Sequence, residues 1–350
     1  MATSTVPPEV EAQAKVLLHG SLSAGQRLRE KIIESILAGC GLFSIAITIG
    51  IAAVLIFGAF EFFTYDEHKD YNQVEFKTAD GKIQSRGVYG PMKAADIWQR
   101  VSYFFTGTEW TGNIEPHKYG ILPLLVGTVM VALLAALLAM PIGLTTAIYL
   151  SEYAAPRVRA IAKPILELLA GIPTVVYGYF AVTTVTPFLA EWIPGVDNNN
   201  NMLSGGIVVG IMIIPMVASL SEDALRAVPR SLREGAIALG ANKFETSIKV
   251  VLPAALSGVI ASFILAISRA IGETMAVTLA CGSRPVLEWD PRQGAATMTS
   301  FIAQVTQGDA PQGTTIFASL FAVALLLFAM TLLMNFAAQA LLRRYRQVYQ

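Results

Sequence analysis

The chain has 350 residues, 54% of them apolar and only 14% charged, with 25 Lys and Arg against 25 Asp and Glu. A soluble domain carries about a quarter charged residues, so this composition and a mean hydropathy of +0.56 exclude an ordinary water-soluble globule. Zero formal net charge excludes a global pull toward nucleic acid, and the information lies in where the charges fall along the chain.

The first thirty residues are polar and hold no short apolar stretch followed by a cleavage site, so no removable leader is expected. Stretches free of Asp, Glu, Lys and Arg then recur at 35–60, 119–151, 168–190, 198–221, 250–268 and 310–342. Each is about as long as the ~20 residues that cross a hydrocarbon core, and the longest can tilt. The fifth run continues past Arg269 and Glu273 to Gly282, which predicts one helix over about 254–281. The expected organisation is a cytoplasmic segment at 1–34 and a first span at 35–60. An extracytoplasmic loop or subdomain at 61–118 follows, then a five-span core at 119–342 and a cytoplasmic tail at 343–350. The fold class expected is an all-α membrane protein with six transmembrane helices.

Orientation follows from the basic residues, which accumulate on the cytoplasmic side of short loops. With the N-terminus inside, the inner segments hold fifteen Lys and Arg and the outer ones nine, seven of those in the single long loop at 61–118. Both termini are therefore expected in the cytoplasm. The long loop carries Phe62, Tyr65, Tyr71, Tyr89, Trp98, Phe104 and Trp110, too many aromatic residues for a disordered tether, and partial order is expected. The run of asparagines within 196–202 reads as a flexible exposed loop. Cys40 and Cys281 fall in apolar runs near opposite faces and read as small buried residues rather than a disulfide; His19, His68 and His117 are scattered and make no metal site.

The inner loop at about 221–250 contains Glu234-Gly235-Ala236, then Gly240, then Val250-Val251-Leu252-Pro253. That pattern describes two short helices joined at a glycine, where a backbone needing positive φ has no Cβ to clash. A knob that docks into a soluble partner and an amphipathic connector lying on the membrane surface both fit it. Within the fifth run, Arg269 and Glu273 are four residues apart, which on a continuous helix puts them on one face as an ion pair. Ionisable groups inside a span line a pathway or pair with one another. An Arg fork matches the oxygens of an anion and a carboxylate would hold it in place, while a structural pair bridging to a neighbouring helix is the alternative. Glu167 either faces a pathway or reaches the interface beside Lys163. Gly171-Ile172-Pro173 should break the third helix, leaving Thr174 and Tyr177 to offer hydroxyls there. The chain holds no phosphate-cradling P-loop, since Gly81-Lys82 is followed by Ile83, and no catalytic Gly-x-Ser-x-Gly or His-Glu-x-x-His pattern.

The Glu234–Pro253 stretch resembles the coupling loop of bacterial ABC-importer permeases, Glu-Ala-Ala, three residues, Gly, nine residues, Ile, one residue, Leu-Pro. Gly235 stands for the middle Ala and Val250 for the Ile. Tyr149–Ala154, Glu167–Gly178 and Arg269–Val277 are similar to the phosphate-specific branch of these permeases, and Gly272-Glu273-Thr274-Met275-Ala276-Val277 to its PstC-like subunits. The likeness is good over about 120–282 and weak elsewhere. It implies a type I (MetI-like) permease fold in a bacterial inner membrane, with Glu234, Gly235, Ala236, Gly240, Leu252 and Pro253 coupling to an ATPase. It further implies a substrate pathway through Arg269, Glu273, Thr274, Thr174, Tyr177 and Glu167. Its partners would be a second permease subunit, two ATP-binding subunits that hold ATP and Mg, and an extracytoplasmic phosphate-binding protein. The chain itself would need no cofactor and catalyse no reaction. Sulfate or molybdate would suit the same Arg fork. A secondary transporter or channel would leave the inner loop unexplained and usually shows inverted repeats, and an intramembrane enzyme would need more than Arg269 and Glu273.

Overall fold

The computed structural model describes residues 24–66, 73–77, 83–87, 90–91, 94–111, 117–197 and 199–345. They divide into two compact units, Met1–Leu55 and Ile56–Gln350, with helix α1 (Ala24–Thr64) beginning in the first and ending in the second. A lipid-embedded chain must satisfy its backbone groups internally, and helices accordingly dominate. They are α2 (Ala94–Thr106), α3 (Leu122–Tyr153), α4 (Pro156–Ala170), α5 (Thr174–Trp192), α6 (Met202–Arg226) and α7 (Arg230–Ala238). The chain continues with α8 (Lys243–Ala254), α9 (Leu256–Ile271), α10 (Met275–Cys281), α11 (Met298–Gln304) and α12 (Thr315–Tyr345). Strand structure among the described residues is confined to two short antiparallel pairs, Tyr65–Asp66 with Gly90–Pro91 and Gln73–Lys77 with Ile83–Gly87.

Among the described residues four helices are long and apolar enough to cross a bilayer, and two bent pairs bring the number to as many as six. One bend matches the break expected at Gly171-Ile172-Pro173, and the other revises a sequence expectation. The run at 168–190 is divided at Gly171–Pro173, where α4 and α5 meet at 84°, so residues 168–170 belong to a separate helix with no buried residue. The helix expected over 254–281 turns by 71° at Ala255 and stops again at Gly272–Thr274. Pro173, which cannot donate and biases its predecessor away from helix, accounts for the first break. At the last break the side chain of Glu273 takes a backbone N–H that a continuous helix would have used.

The core centres on α3 against α6. Ala132, Ala135 and Ala139 lie three and four apart on one face of α3 and pack with Val208, Val209, Met212, Ile213 and Val217 of α6. Small residues let two helices approach closely, the main source of association where no water remains to be expelled. A second cluster gathers aromatic residues from the end of α1, from α2 and from the following loop. Phe62 meets Tyr119 at 5.3 Å and Trp110 meets Phe301 of α11 at 4.8 Å, both edge to face. The Arg100 guanidinium lies 4.5 Å over the Phe62 ring and donates to the Tyr65 carbonyl, a cation–π contact that fixes α2 to α1. Of the long loop's aromatic residues, Phe62, Phe104 and Trp110 are buried and Trp98 is exposed, while Tyr71 and Tyr89 lie outside the described residues.

The asparagine run also departs from its sequence reading as a flexible exposed loop. Asn201 is fully buried and caps α6 by accepting from the Ser204 N–H, and Asn200 donates its amide to the Leu279 carbonyl at 2.7 Å. Their partners are the ends of α6 and α10, which would otherwise expose backbone groups. Opposite them, Arg292 donates to the Pro194 carbonyl and grips Asp290, holding that carboxyl below its ordinary value. Residues 294–297 then thread extended through the interior to α11, with Ala296 N–H bonded to the Arg284 carbonyl and Met298 N–H to the Thr128 hydroxyl. The thread passes so close to α3 that a Cβ on Gly127 would sit 2.4 Å from the Ala296 carbonyl oxygen.

Gly127→Val is therefore expected to destabilise by about 1–3 kcal/mol, the usual cost of overpacking, because a rigid backbone rather than a flexible side chain blocks the space. Gly235→Ala, where a Cβ meets nothing within 4 Å, is the matched control. Thermal midpoints of the two purified variants check the contrast, and equal values would refute it.

Candidate functional site

The sequence places Arg269 and Glu273 on one helical face; the structure separates them. Arg269 lies in the last turn of α9, whose last carbonyls bond to Gly272 and Glu273, and the chain then turns out of helical register through Thr274. Glu273 is only 8% exposed and points into the interior, where its Oε1 accepts from the Ala276 N–H at 3.3 Å. Its carbonyl accepts from the Thr299 hydroxyl at 2.8 Å, tying the break to α11. The gap around it, lined by Thr128, Thr297 and Thr299 among others, has no room for a water. Glu273 therefore caps α10 and forms no ion pair with Arg269, because the expected face-sharing required an unbroken helix.

Arg269 is exposed and lies on the wall of a cavity of about 310 Å³. Leu166, Glu167 and Ala170 of α4 form one side, and Met212, Pro215, Met216, Ser219 and Leu220 of α6 another. A cationic fork and a carboxylate thus face the same space, held by three helices and surrounded by apolar walls. Among the described residues no ion pair within 4 Å consumes either charge, which leaves the guanidinium donors for a ligand. Of the remaining candidates, Tyr177 spends its hydroxyl on the Leu169 carbonyl across the α4–α5 break. The Thr274 hydroxyl bonds the Gly272 carbonyl at 3.3 Å. Thr174 opens α5 half-buried, and none of the three lines the cavity. The cavity brings together Arg269 and Glu167 and leaves out the other four.

Lys163 is committed elsewhere than to Glu167. Glu222, one residue past the charge-free run of α6, is 1% exposed, and Lys163 Nζ donates to its Oε2 at 3.1 Å and also to Asp223. Arg159 Nη2 approaches Glu222 Oε1 at 2.7 Å, a charge contact rather than an aligned hydrogen bond, since that oxygen has no hydrogen-bond partner by angle. Sequence spacing gave no sign of this cluster, because its halves lie about sixty residues apart and meet only when α4 folds along α6.

The inner loop folds as its spacing predicts. α7 ends in the glycine turn, with Gly240 at φ +88°, its N–H bonded to the Ile237 carbonyl and the Ala241 N–H to that of Ala236, the paired bonds of a Schellman motif. Asn242 and Glu245 cap α8 reciprocally. The turn displays Leu239 at 91% exposure with Ile237 and Phe244 beside it, and Glu234 and Gly235 are also exposed. Leu252 and half-turn neighbour Pro253 lead α8 into the bend at Ala255. What the sequence did not show is the anchor. Arg233 of α7 donates to Glu152 at the end of α3 at 3.0 Å, and to the Val228 and Leu225 carbonyls, so its three nitrogens make five hydrogen-bond contacts with three acceptor groups in a half-buried niche. Lys243 of α8 lies 5.0 Å over the Tyr153 ring. Both helices of the knob thereby hold the terminal turn of α3.

Residues 139–347 match the family described as binding-protein-dependent transport system inner membrane component. A probable ABC transporter permease protein YqgH of Bacillus subtilis is 36% identical over 230 residues, 66% of this chain and 74% of that protein. The phosphate transport system permease protein PstC 1 of Mycobacterium tuberculosis is 36% identical over 278 residues, 69% of this chain and 82% of that protein. A chain of the MetNI methionine ABC transporter in an inward-facing conformation superposes with a TM-score of 0.50 at 17% identity, covering 73% of this chain and all of that one.

Arg233→Ala leaves Glu152 poorly solvated with no cation, and removal of one member of a buried pair costs about 3–5 kcal/mol, less as the niche admits water. The expected outcome is a lowered thermal midpoint, partly recovered by the double change Arg233→Ala/Glu152→Ala. A midpoint unmoved by the single change would show that the pair does not anchor α7.

Proposed function

The chain belongs to the family of binding-protein-dependent transport system inner membrane components, and from that premise we propose that it conducts inorganic phosphate. In this reading it is one permease subunit of an ATP-driven importer in a bacterial plasma membrane. It pairs with a second, different permease subunit, receives phosphate from an extracytoplasmic binding protein, and is driven by two ATPase subunits that bind ATP and Mg. The chain makes and breaks no bond. Its termini and the α7–α8 knob face the cytoplasm, as the fifteen-to-nine division of basic residues supports.

The observation that carries the reading is Arg269, an uncommitted guanidinium on the wall of an otherwise largely apolar cavity at the end of a membrane helix. A planar fork takes two oxygens of a tetrahedral oxyanion at once, and a low-dielectric wall strengthens that contact. Glu167 on the facing helix repels the same anion, so that binding stays weak enough for release. Relatives named as phosphate permeases favour phosphate over sulfate or molybdate, which Arg269 alone would not discriminate. Coupling runs through the knob: Leu239, Ile237 and Phe244 supply an apolar surface for the ATPase, and Glu234, Gly235 and Ala236 shape α7 behind it. Motion of α8 passes through Leu252-Pro253 and the bend at Ala255 into α9, whose last turn carries Arg269.

Two measurements test this. A charge-assisted hydrogen bond contributes about 1.5–3 kcal/mol, so Arg269→Gln is expected to cut phosphate uptake per assembled complex about tenfold or more. Arg269→Lys should rescue poorly, because a point charge does not reproduce the fork. Uptake at the wild-type level in Arg269→Gln would remove the residue from the pathway, and uptake of sulfate or molybdate in preference to phosphate would change the substrate. For topology, single cysteines at positions 90 and 238 are expected to react with impermeant reagents from opposite faces; labelling from one face would overturn the six-span arrangement.

A further inference from the structure

α4 and α6 form two walls of the cavity and run antiparallel, so that residue 163 lies near residues 222 and 223 while residue 170 lies nearer the middle of α6. On both helices the charged cluster sits one turn beyond the cavity wall. Lys163 precedes Leu166 and Glu167 by three and four residues, and Glu222 and Asp223 follow Ser219 by three and four. Arg159, Lys163, Glu222 and Asp223 thus fasten the two walls together at the end of the cavity that the proposed topology puts toward the cytoplasm. α4 buries none of its own residues, and the Gly171-Ile172-Pro173 break that joins it to α5 leaves it few other attachments. A buried ion pair is a poor way to gain stability but a strong way to hold one arrangement against others, since its members cannot separate without either finding water or leaving a charge unpaired.

We propose that Arg159, Lys163, Glu222 and Asp223 are the cytoplasmic latch of the Arg269 cavity, with Glu222 its positioning residue. In the latched state α4 closes the inner end; release of α4 about the 171–173 break, with Glu222 and its cations hydrated, opens the cavity to the cytoplasm. The anion leaves by this opening, and as it does so it passes Arg159 and Lys163, freed for the moment from their carboxylates. The proposal rests on the transport reading for what passes through, but the opening itself does not depend on the identity of the cargo.

The test is access. Ser219 lines the cavity and is half-buried, and a Ser219→Cys reporter in a Cys40→Ser background is treated, in the assembled complex, with an impermeant maleimide from the cytoplasmic face without ATP or phosphate. Glu222→Gln is expected to raise its labelling rate several-fold, and Lys163→Gln, at the more exposed end of the cluster, to raise it in the same direction should Glu222→Gln not assemble. The exchange Lys163→Asp/Asp223→Lys should bring the rate back toward wild type. Native Cys281 is fully buried and serves as the internal control: it must stay unreactive throughout. An unchanged Ser219→Cys rate in the assembled variants, or Cys281 reacting in step with it, would overturn the latch. Phosphate uptake by the wild-type complex is measured beside it: labelling that obeys the latch with no phosphate uptake retains the latch and discards the substrate, and the converse discards the latch alone.

Discussion

A peptide group in hydrocarbon without a hydrogen-bond partner costs several kcal/mol, about as much as the net stability of a small domain, and three irregularities of the described chain are organised around meeting that demand. Where α9 stops at Ile271, Glu273 and Thr299 take over the exposed backbone groups. Where residues 294–297 thread through the interior, the carbonyls of Cys281 and Arg284, the Thr128 hydroxyl and the reciprocal Thr297–Ser300 cap serve them. Where α6 begins, Asn201 and Asn200 do so. The breaks could not exist as isolated features. Each is tied to a polar side chain on a distant segment, and together these ties draw α3, α6, α9, α10 and α11 into one framework.

That dependence explains what was legible in the sequence. Span number and the glycine-turned knob follow from local composition: an apolar run of about 20 residues has few fates, and Gly240 needs only its own turn to take positive φ. Arg269 stood out because it is the single basic residue in its apolar run. Glu273 is not its companion, because four-residue spacing makes a pair only on a continuous helix and Gly272 ends this one; the carboxylate that does share the cavity, Glu167, sits on a helix about a hundred residues earlier. Asn200 and Asn201 read as loop residues by composition, while their use as caps is fixed by α10 and the 291–293 turn, which local pattern does not foresee. The Glu152–Arg233 anchor joins residues 81 positions apart and was likewise invisible.

Charge is distributed with some economy. The buried or half-buried pairs, Glu152 with Arg233 and Glu222 with Arg159 and Lys163, lie at helix ends, where water is near enough to lower the cost of desolvation. Among the described residues, Arg269 and Glu167 share no such pair and line the same cavity. The paired charges lie at the margins, and the charge proposed to meet the anion is kept free between them. This separation lets one part of the chain move against another without stranding an ion in lipid.

Leu239, almost wholly exposed at the tip of the knob with Ile237 and Phe244 beside it, has a consequence for the life of the chain before assembly. A cluster of large apolar side chains held on a rigid turn in water is the kind of surface that chaperones bind and proteases survey. Synthesis of this subunit in excess of its partner would present that surface continuously, and the surplus would be cleared or would aggregate. In the assembly proposed above, its cellular abundance would follow the supply of whatever covers the knob, which would make balanced production of the subunits a physical requirement as much as a regulatory convenience.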